Sequence, residues 1–265
     1  MSGKNIDIEE LKKIEMEILQ AVHDFCEARD LRYYLWGGTL LGAIRHEGFI
    51  PWDDDVDIAM FREDYEKFKQ EFDSSKYGIS ECHIDDKHPF WNAKVYRKDT
   101  EKVEKIFYKK GFSIGVDVDV FVLDSYENFD TVLKTVEWRK KQSKHYGRSL
   151  IPKNSKSLKC KLIGFVSRNI LRYDANKTSR AINEKVKSFG RNGEGLMLYA
   201  DRNLKYPLRL EKSWFEGRVL HKFEDKLFYV PGNYDALLSA CYGDYMTPPP
   251  KEKQVTHHSF AAYYK

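Results

Sequence analysis

Between Tyr34 and Phe61 the chain reads YLWGGTLLGAIRHEGFIPWDDDVDIAMF, and two groups of residues there could act together in catalysis. Gly37, Gly38 and Thr39 form a turn ahead of a short apolar helix, and Asp55 and Asp57 alternate with valine and isoleucine in a strand-like run. Residues i and i+2 of a strand point to one face, so the pattern sets two carboxylates side by side. Aspartate is disfavoured in strands, and two anions on one face repel each other, so the pair calls for a cation. Mg²⁺, with Mn²⁺ as the alternative, takes carboxylate, water and phosphate oxygens in this way. The Gly37–Gly38–Thr39 turn suits the phosphate: glycine lets the backbone come close to an anion, and the N–H groups opening the next helix point at it. A calcium loop beginning at Asp53 fails at its sixth position, Ile58, and at its twelfth, Asp64.

A metal site for phosphoryl chemistry needs a further carboxylate from a neighbouring strand. The run SIGVDVDVFVLD, Ser113 to Asp124, offers Asp117 and Asp119. Both fall on the same face, and parity does not choose between them.

The elements that would position these residues follow from periodicity. Asp7 and Glu10 form a capping pair, and Ile8, Leu11, Ile14, Ile18, Val22 and Phe25 recur at helical spacing, predicting a long first helix. The predicted order is then a strand from Leu31 to Trp36, a short helix from Leu40 to Arg45, a strand from Val56 to Phe61 and a helix from Asp64 to Phe72. Strands near Ile79 to His83 and Asn92 to Arg97 precede the third-carboxylate strand. From about Asn128 the chain becomes helical and basic. This predicts a core over 1–127 and a helical region over 128–265 packed on it, with no flexible linker between them.

At 265 residues the chain can bury one sizeable core. Four scattered cysteines, Cys26, Cys82, Cys160 and Cys241, exclude a disulfide framework or zinc ribbon and suit a reducing compartment. No signal-peptide core or spanning apolar run appears, which predicts a cytoplasmic enzyme, at most resting on the inner face of the membrane. The net charge is only +4, yet nine Lys and four Arg face just Glu137 and Asp174 between Leu133 and Lys177. From Ser155 to Arg172, Leu158, Leu162, Phe165, Val166 and Ile170 mix with Lys156, Lys159, Lys161, Arg168 and Arg172. Such a helix fits an anionic membrane surface or a lipid-linked anionic acceptor, or else packs on the core with a solvated basic face. Cys82, His83 and His88 match no closed tetrahedral metal set. His257 and His258 lie in a proline-flanked tail whose residues are within reach of the site or simply solvated.

The runs GGTLLGAIRHEGFIPWDDDVDI, VDVDVFVLD and FYVPGNYDALLSACYGDYMTPPPKEK resemble the LicD family, the phosphocholine-transferase group related to fukutin and the fukutin-related protein. The resemblance implies an α+β fold with a nucleotidyltransferase-like, polymerase-β-type mixed sheet. It implies metal binding by Asp55, Asp57 and Asp119, leaving Asp117 as an extra. Val122 stands where the family usually has proline. Arg45 and Lys94 match basic positions of the family pattern and are assigned donor phosphate contacts, with Gly37, Gly38 and Thr39 holding the phosphates. The implied reaction moves phosphocholine, or a related phospho-alcohol, from CDP-choline or another CDP-alcohol to a hydroxyl of a cell-surface glycan or teichoic acid precursor, releasing CMP. The alternative is a nucleotidyltransferase that moves NMP from NTP to a small molecule or an RNA end. The basic middle region lacks the aromatic stacking pattern of an RNA surface, so nucleic acid is disfavoured as a partner. The YGDY run, Tyr242 to Tyr245, is expected to anchor the terminal segment.

Overall fold

The computed structural model describes residues 3–72, 74–85, 88, 90, 92–104, 113–135, 137–138, 156–172, 175–189, 193, 195–198, 210–256 and 260–265. A two-residue strand β1 (Asn5–Ile6) leads into α1 (Ile8–Glu27), where the Asp7 carboxylate accepts the Glu10 N–H at 2.9 Å. The apolar stripe of α1, Leu11, Ile14, Ile18, Leu19, Val22 and Cys26, is buried. Ile8, expected on that stripe, is instead exposed, because it occupies the first turn before the helix reaches the core.

Strand β2 (Tyr33–Leu35), helix α2 (Gly37–His46), strand β3 (Asp57–Phe61) and helix α3 (Arg62–Glu71) follow in the predicted order. Two boundaries differ in a way that matters. Gly37–Gly38–Thr39 is the first turn of α2 rather than a separate turn before it. Asp55 precedes the first ladder residue of β3, so only Asp57 of the acidic pair is in the strand. Because Ile58 to Phe61 is strand, a calcium loop across Asp53–Asp64 is also ruled out.

Strands β4 (Tyr77–Ser80), β5 (Ala93–Arg97), β6 (Thr100–Glu104) and β7 (Asp117–Tyr126) come next, and the main sheet runs β2-β3-β7-β5-β4. On this path only β3 and β7 pair in parallel, with Asp57 opposite Asp119; β5 pairs antiparallel to β7, with Lys94 opposite the same Asp119. Residues opposite one another in a ladder share a face, so this register gathers Asp57, Asp119 and Lys94. Helix α1 packs across β5 and β7, and α3 packs against β3 and β7 through Tyr65 and Phe68.

The C-terminal half is less helical than its composition predicts. It holds α4 (Leu158–Phe165), continued by a π-helical turn at Val166–Ile170, then α5 (Ala175–Lys187) and α6 (Tyr234–Tyr242). It also holds β8 (Gly195–Leu198), β9 (Leu210–Glu211), the hairpin β10 (Arg218–Phe223) and β11 (Lys226–Pro231), and β12 (Phe260–Tyr264). Strand β8 extends the main sheet along β7, and β12 lies between β1 and β6 in a second sheet. The hairpin eluded the sequence reading because its turn carries no glycine or asparagine: Glu224 takes the left-handed conformation, φ 58°. The four cysteines are free. Among the described residues, no helix is long and apolar enough to cross a membrane.

Candidate active site

The site forms where α2 begins and where β3 and β7 begin. Gly37 has φ 56°, a conformation open to glycine at no steric cost. A Cβ on Gly38 would collide with the Asp53 carboxylate, so the second glycine makes room for an acidic side chain at the head of α2. An anion there is favoured by the helix dipole. The buried Thr39 Oγ1 accepts the Asp57 N–H at 2.8 Å, and the Asp57 carbonyl accepts the Trp36 N–H at 2.9 Å. The Asp119 N–H in turn donates to the Val56 carbonyl at 2.9 Å. The backbone around Asp57 is thereby fixed from three sides.

Carboxylates crowd this point. Ligand-capable oxygens of Asp53, Asp54 and Asp55 lie within 4.8 Å of one another. Burial first, then the charges of Asp55, Asp119 and Asp53, push the Asp57 carboxyl well above its usual range. Burial also raises Asp119 to about 6, with Asp117 and Asp55 adding to the rise and Lys94 opposing it. Acids held in this state fit a hard divalent cation: the donors are all oxygen, and a cation removes the repulsion that raises them. Asp53, Asp54 and Asp55 are close enough together to hold one, beside Asp57 and Asp119.

Asp117 differs from its neighbour two residues on. Its side chain is buried, ion-paired through Oδ2 to Lys94 and 3.2 Å through Oδ1 from Lys102 on β6. Burial alone would raise its carboxyl, but Lys102 and Lys94 hold it below the ordinary value. Lys94 Nζ also donates to Asp119 Oδ1 at 2.5 Å. The 22% exposure of the Asp119 side chain, against 1% for Asp117, decides which of the two a cation can reach.

Lys102 and Glu15 were not identified from the sequence. Glu15 is fully buried on α1, its carboxylate has no hydrogen-bond partner among the described residues, and it lies 4.0 Å from Lys102. Burial pushes it well above the ordinary range, opposed by Lys102. The signal was present: Glu15 interrupts the apolar stripe between Leu11 and Ile18. Lys102 gave none, standing in the polar run TEKVE.

Arg45 stands near the other end of α2. It lies eight residues beyond Gly37, about 12 Å along α2. Its guanidinium donates to the Tyr245 carbonyl at 2.8 Å, and the Tyr245 hydroxyl donates to Asp235 at 2.7 Å. The YGDY run is thus tied to α2 and α6. His88 bridges Ser80 Oγ and the Asn92 carbonyl at 2.8 Å each, and burial lowers it to about 4. His83 bonds Asn183 at 2.8 Å, and burial pushes the Cys82 thiol up to about 12. These three residues line the packing of α5 rather than a metal centre. His257 and His258 lie outside the described residues. A cavity of about 1030 Å³ opens at the other end of β3 and β7, lined by Phe61, Leu123 and the Arg62–Asp124 pair. It is separate from the carboxylates, roughly 13 Å along β3 from Asp57.

The sequence that carries these strand acids matches a known family model. The sequence model of the LicD/FKTN/FKRP nucleotidyltransferase domain covers residues 30–169, 140 of the 265 residues. The chain belongs to this family and is a LicD-like phosphotransferase. It is 28% identical to the lipopolysaccharide cholinephosphotransferase LicD of Haemophilus influenzae, over 98% of this chain and 99% of that protein. It is 58% identical to human ribitol 5-phosphate transferase FKRP over a short match of 38 residues, 14% of this chain and 8% of that protein. An uncharacterized protein of Rickettsia prowazekii is 36% identical over 24% of this chain and 25% of its own length.

Proposed function

We propose that the protein transfers a phospho-alcohol, with phosphocholine from CDP-choline as the first candidate, to a hydroxyl of a cell-surface glycan or teichoic acid precursor. The observation that carries this is the register of the parallel pair, which sets Asp57 opposite Asp119 with Lys94 beside them. The names of the Haemophilus and human relatives, one for choline phosphate and one for ribitol phosphate, support an alcohol phosphate as the group moved.

Asp55, Asp57 and Asp119 would hold Mg²⁺ or Mn²⁺, which when bound supplies positive charge to the pyrophosphate oxygens and the departing CMP. The N–H groups of Gly37, Gly38 and Thr39 at the start of α2 would receive the donor phosphates. Asp119, the more exposed of the two β7 acids, would take the proton of the attacking hydroxyl. Lys94 holds Asp119 in place and brings a buried positive charge to the phosphoryl site.

Product analysis tests this reading against nucleotidyl transfer by the same carboxylates. Attack on the phosphorus bearing the alcohol releases CMP and leaves the alcohol phosphate on the glycan. CMP from CDP-choline, CDP-ribitol or CDP-glycerol with a glycan acceptor is the expected result. Pyrophosphate from CTP, with nucleotide in the product and no CMP from any CDP-alcohol, would overturn it.

A further inference from the structure

Helix α4 and the π-helical turn after it form 13 continuous helical residues, Leu158 to Ile170, about 20 Å long. Ser157 caps the start, accepting the Cys160 N–H at 3.3 Å, and the Asn169 side chain donates to the Phe165 carbonyl at 3.0 Å. The helix turns its sides the opposite way from α1. The most buried positions of its inward side are small residues: Gly164 and Ser167 are buried and Cys160 is half-buried. These positions are spaced i, i+4, i+7 and share one face.

Leu158, Leu162 and Phe165 repeat the same spacing two positions earlier, which puts them on the opposite side. They are 80%, 64% and 55% exposed, and Ile170 and Leu171, at the end of the helical run, are exposed as well, at 65% and 52%. A single exposed leucine is ordinary, but three large apolar side chains along one short ridge, with two more exposed at its end, mark an interaction surface. Ile163 and Val166 are half-buried beside the small residues, so the helix packs on the core through one side and leaves Leu158, Leu162 and Phe165 outside.

The charge around the ridge selects the partner. Lys156, Lys159, Lys161 and Arg172 are exposed, Arg168 is half-buried, and no acidic residue occurs between Lys156 and Arg172. A second copy of this surface would bring like charges together. A bilayer with anionic headgroups satisfies both features, taking the apolar ridge at the headgroup boundary and the lysines among the phosphates.

We propose that this face of α4 and its π-helical extension docks the protein on an anionic phospholipid surface. Docking is independent of which phospho-alcohol is transferred, and it brings the enzyme to the plane where a lipid-linked acceptor resides.

The test is flotation of the purified full chain with vesicles of phosphatidylcholine alone or mixed with phosphatidylglycerol, without donor or acceptor. The wild type is expected to float with the mixed vesicles, to stay behind with phosphatidylcholine alone, and to release from the mixed vesicles at high salt. The double substitution Leu162→Ser with Phe165→Ser, and separately Lys159→Glu with Lys161→Glu, should each weaken binding at least tenfold. All of these positions are exposed, so the melting curve and CMP release with a soluble acceptor should stay at the wild-type level. Failure of the wild type to float, or a Leu162→Ser, Phe165→Ser protein that floats as well as wild type, would overturn the proposal. So would a wild-type dimer in sedimentation that the same pair of substitutions dissociates, since a second copy would then cover the ridge. Loss of CMP release with flotation intact would count against the proposed reaction and not against docking.

Discussion

Replacing Asp117 and replacing Asp57 by asparagine should move stability in opposite directions, although the two strand acids belong to one cluster. Asp117 faces two ammonium groups, Lys94 and Lys102, and these three side chains are 1%, 4% and 8% exposed. Removing one partner of a buried ion pair costs about 3–5 kcal/mol, because the charge left behind stays desolvated. Each lysine keeps a second acid, Asp119 at 2.5 Å from Lys94 and Glu15 at 4.0 Å from Lys102, so the lower end applies, about 3 kcal/mol. For a chain of this size that is a fall in Tm of roughly 6–12 °C. Asp57 has like charges around it, from Asp55, Asp119 and Asp53, so Asp57→Asn in metal-free protein should raise stability by about 1 kcal/mol. Turnover separates the pair the other way: Asp57→Asn abolishes CMP release, while folded Asp117→Asn keeps most of it. Thermal unfolding by circular dichroism near neutral pH with chelator, beside a CMP-release assay, measures both. An Asp117→Asn protein that melts with the wild type, or an Asp57→Asn protein that falls as far, would refute the assignment of charges.

The raised Asp119 and Asp57 carboxyls bind their protons more tightly folded than unfolded. Metal-free protein therefore has this stabilisation in full below about pH 4, and loses the Asp119 share as pH rises through about 6. Asp117, held below its ordinary value, acts in the opposite sense only below that window. Mg²⁺ competes with those protons, so the Tm gain on adding it should be larger at mildly alkaline than at mildly acidic pH; an equal gain at both would remove these acids as ligands. Thr39→Val leaves the Asp57 N–H without its acceptor, and should cost about 1–3 kcal/mol and most of the turnover, with Thr39→Ser restoring both; calorimetry and CMP release measure it. Arg45→Ala should lower Tm through loss of the Tyr245 contact and leave the KM for the donor within about twofold; a KM rise of tenfold or more would return Arg45 to donor binding.

Much of the site was legible because a strand has a strict period of two. Alternation alone placed Asp57 in one strand and Asp117 and Asp119 in another. Which residues stand opposite one another was not legible, since register is set by the packing of the whole sheet, and the meeting of Asp57 with Asp119 and Lys94 emerged only in three dimensions. The two strand acids look alike in sequence and differ through Lys102, which comes from another strand. Gly38 was readable as a close approach, but what approaches it, Asp53, was not. The tie from Arg45 at the far end of α2 to the Tyr245 carbonyl was not legible either, because resemblance carries residue type and position but not the contacts a side chain makes. The C-terminal half was read from its basic, helical composition, which hid strands as short as β8 and β9 and a hairpin whose turn bears glutamate at positive φ.

The second sheet has a consequence for how the protein is made. Its middle strand, β12, pairs Tyr263 with Asn5 on one side and with Glu101 on the other, so partners more than 250 residues apart close it. Contacts of that separation form late, because the entropy of bringing the segments together is lost before the ladder compensates for it. During synthesis β1 must wait while nearly the whole polypeptide emerges, and β6 meanwhile presents an open backbone edge. An exposed edge of that kind recruits strands from other chains. Expression yield and aggregation should therefore respond sharply to changes near Phe260–Tyr264.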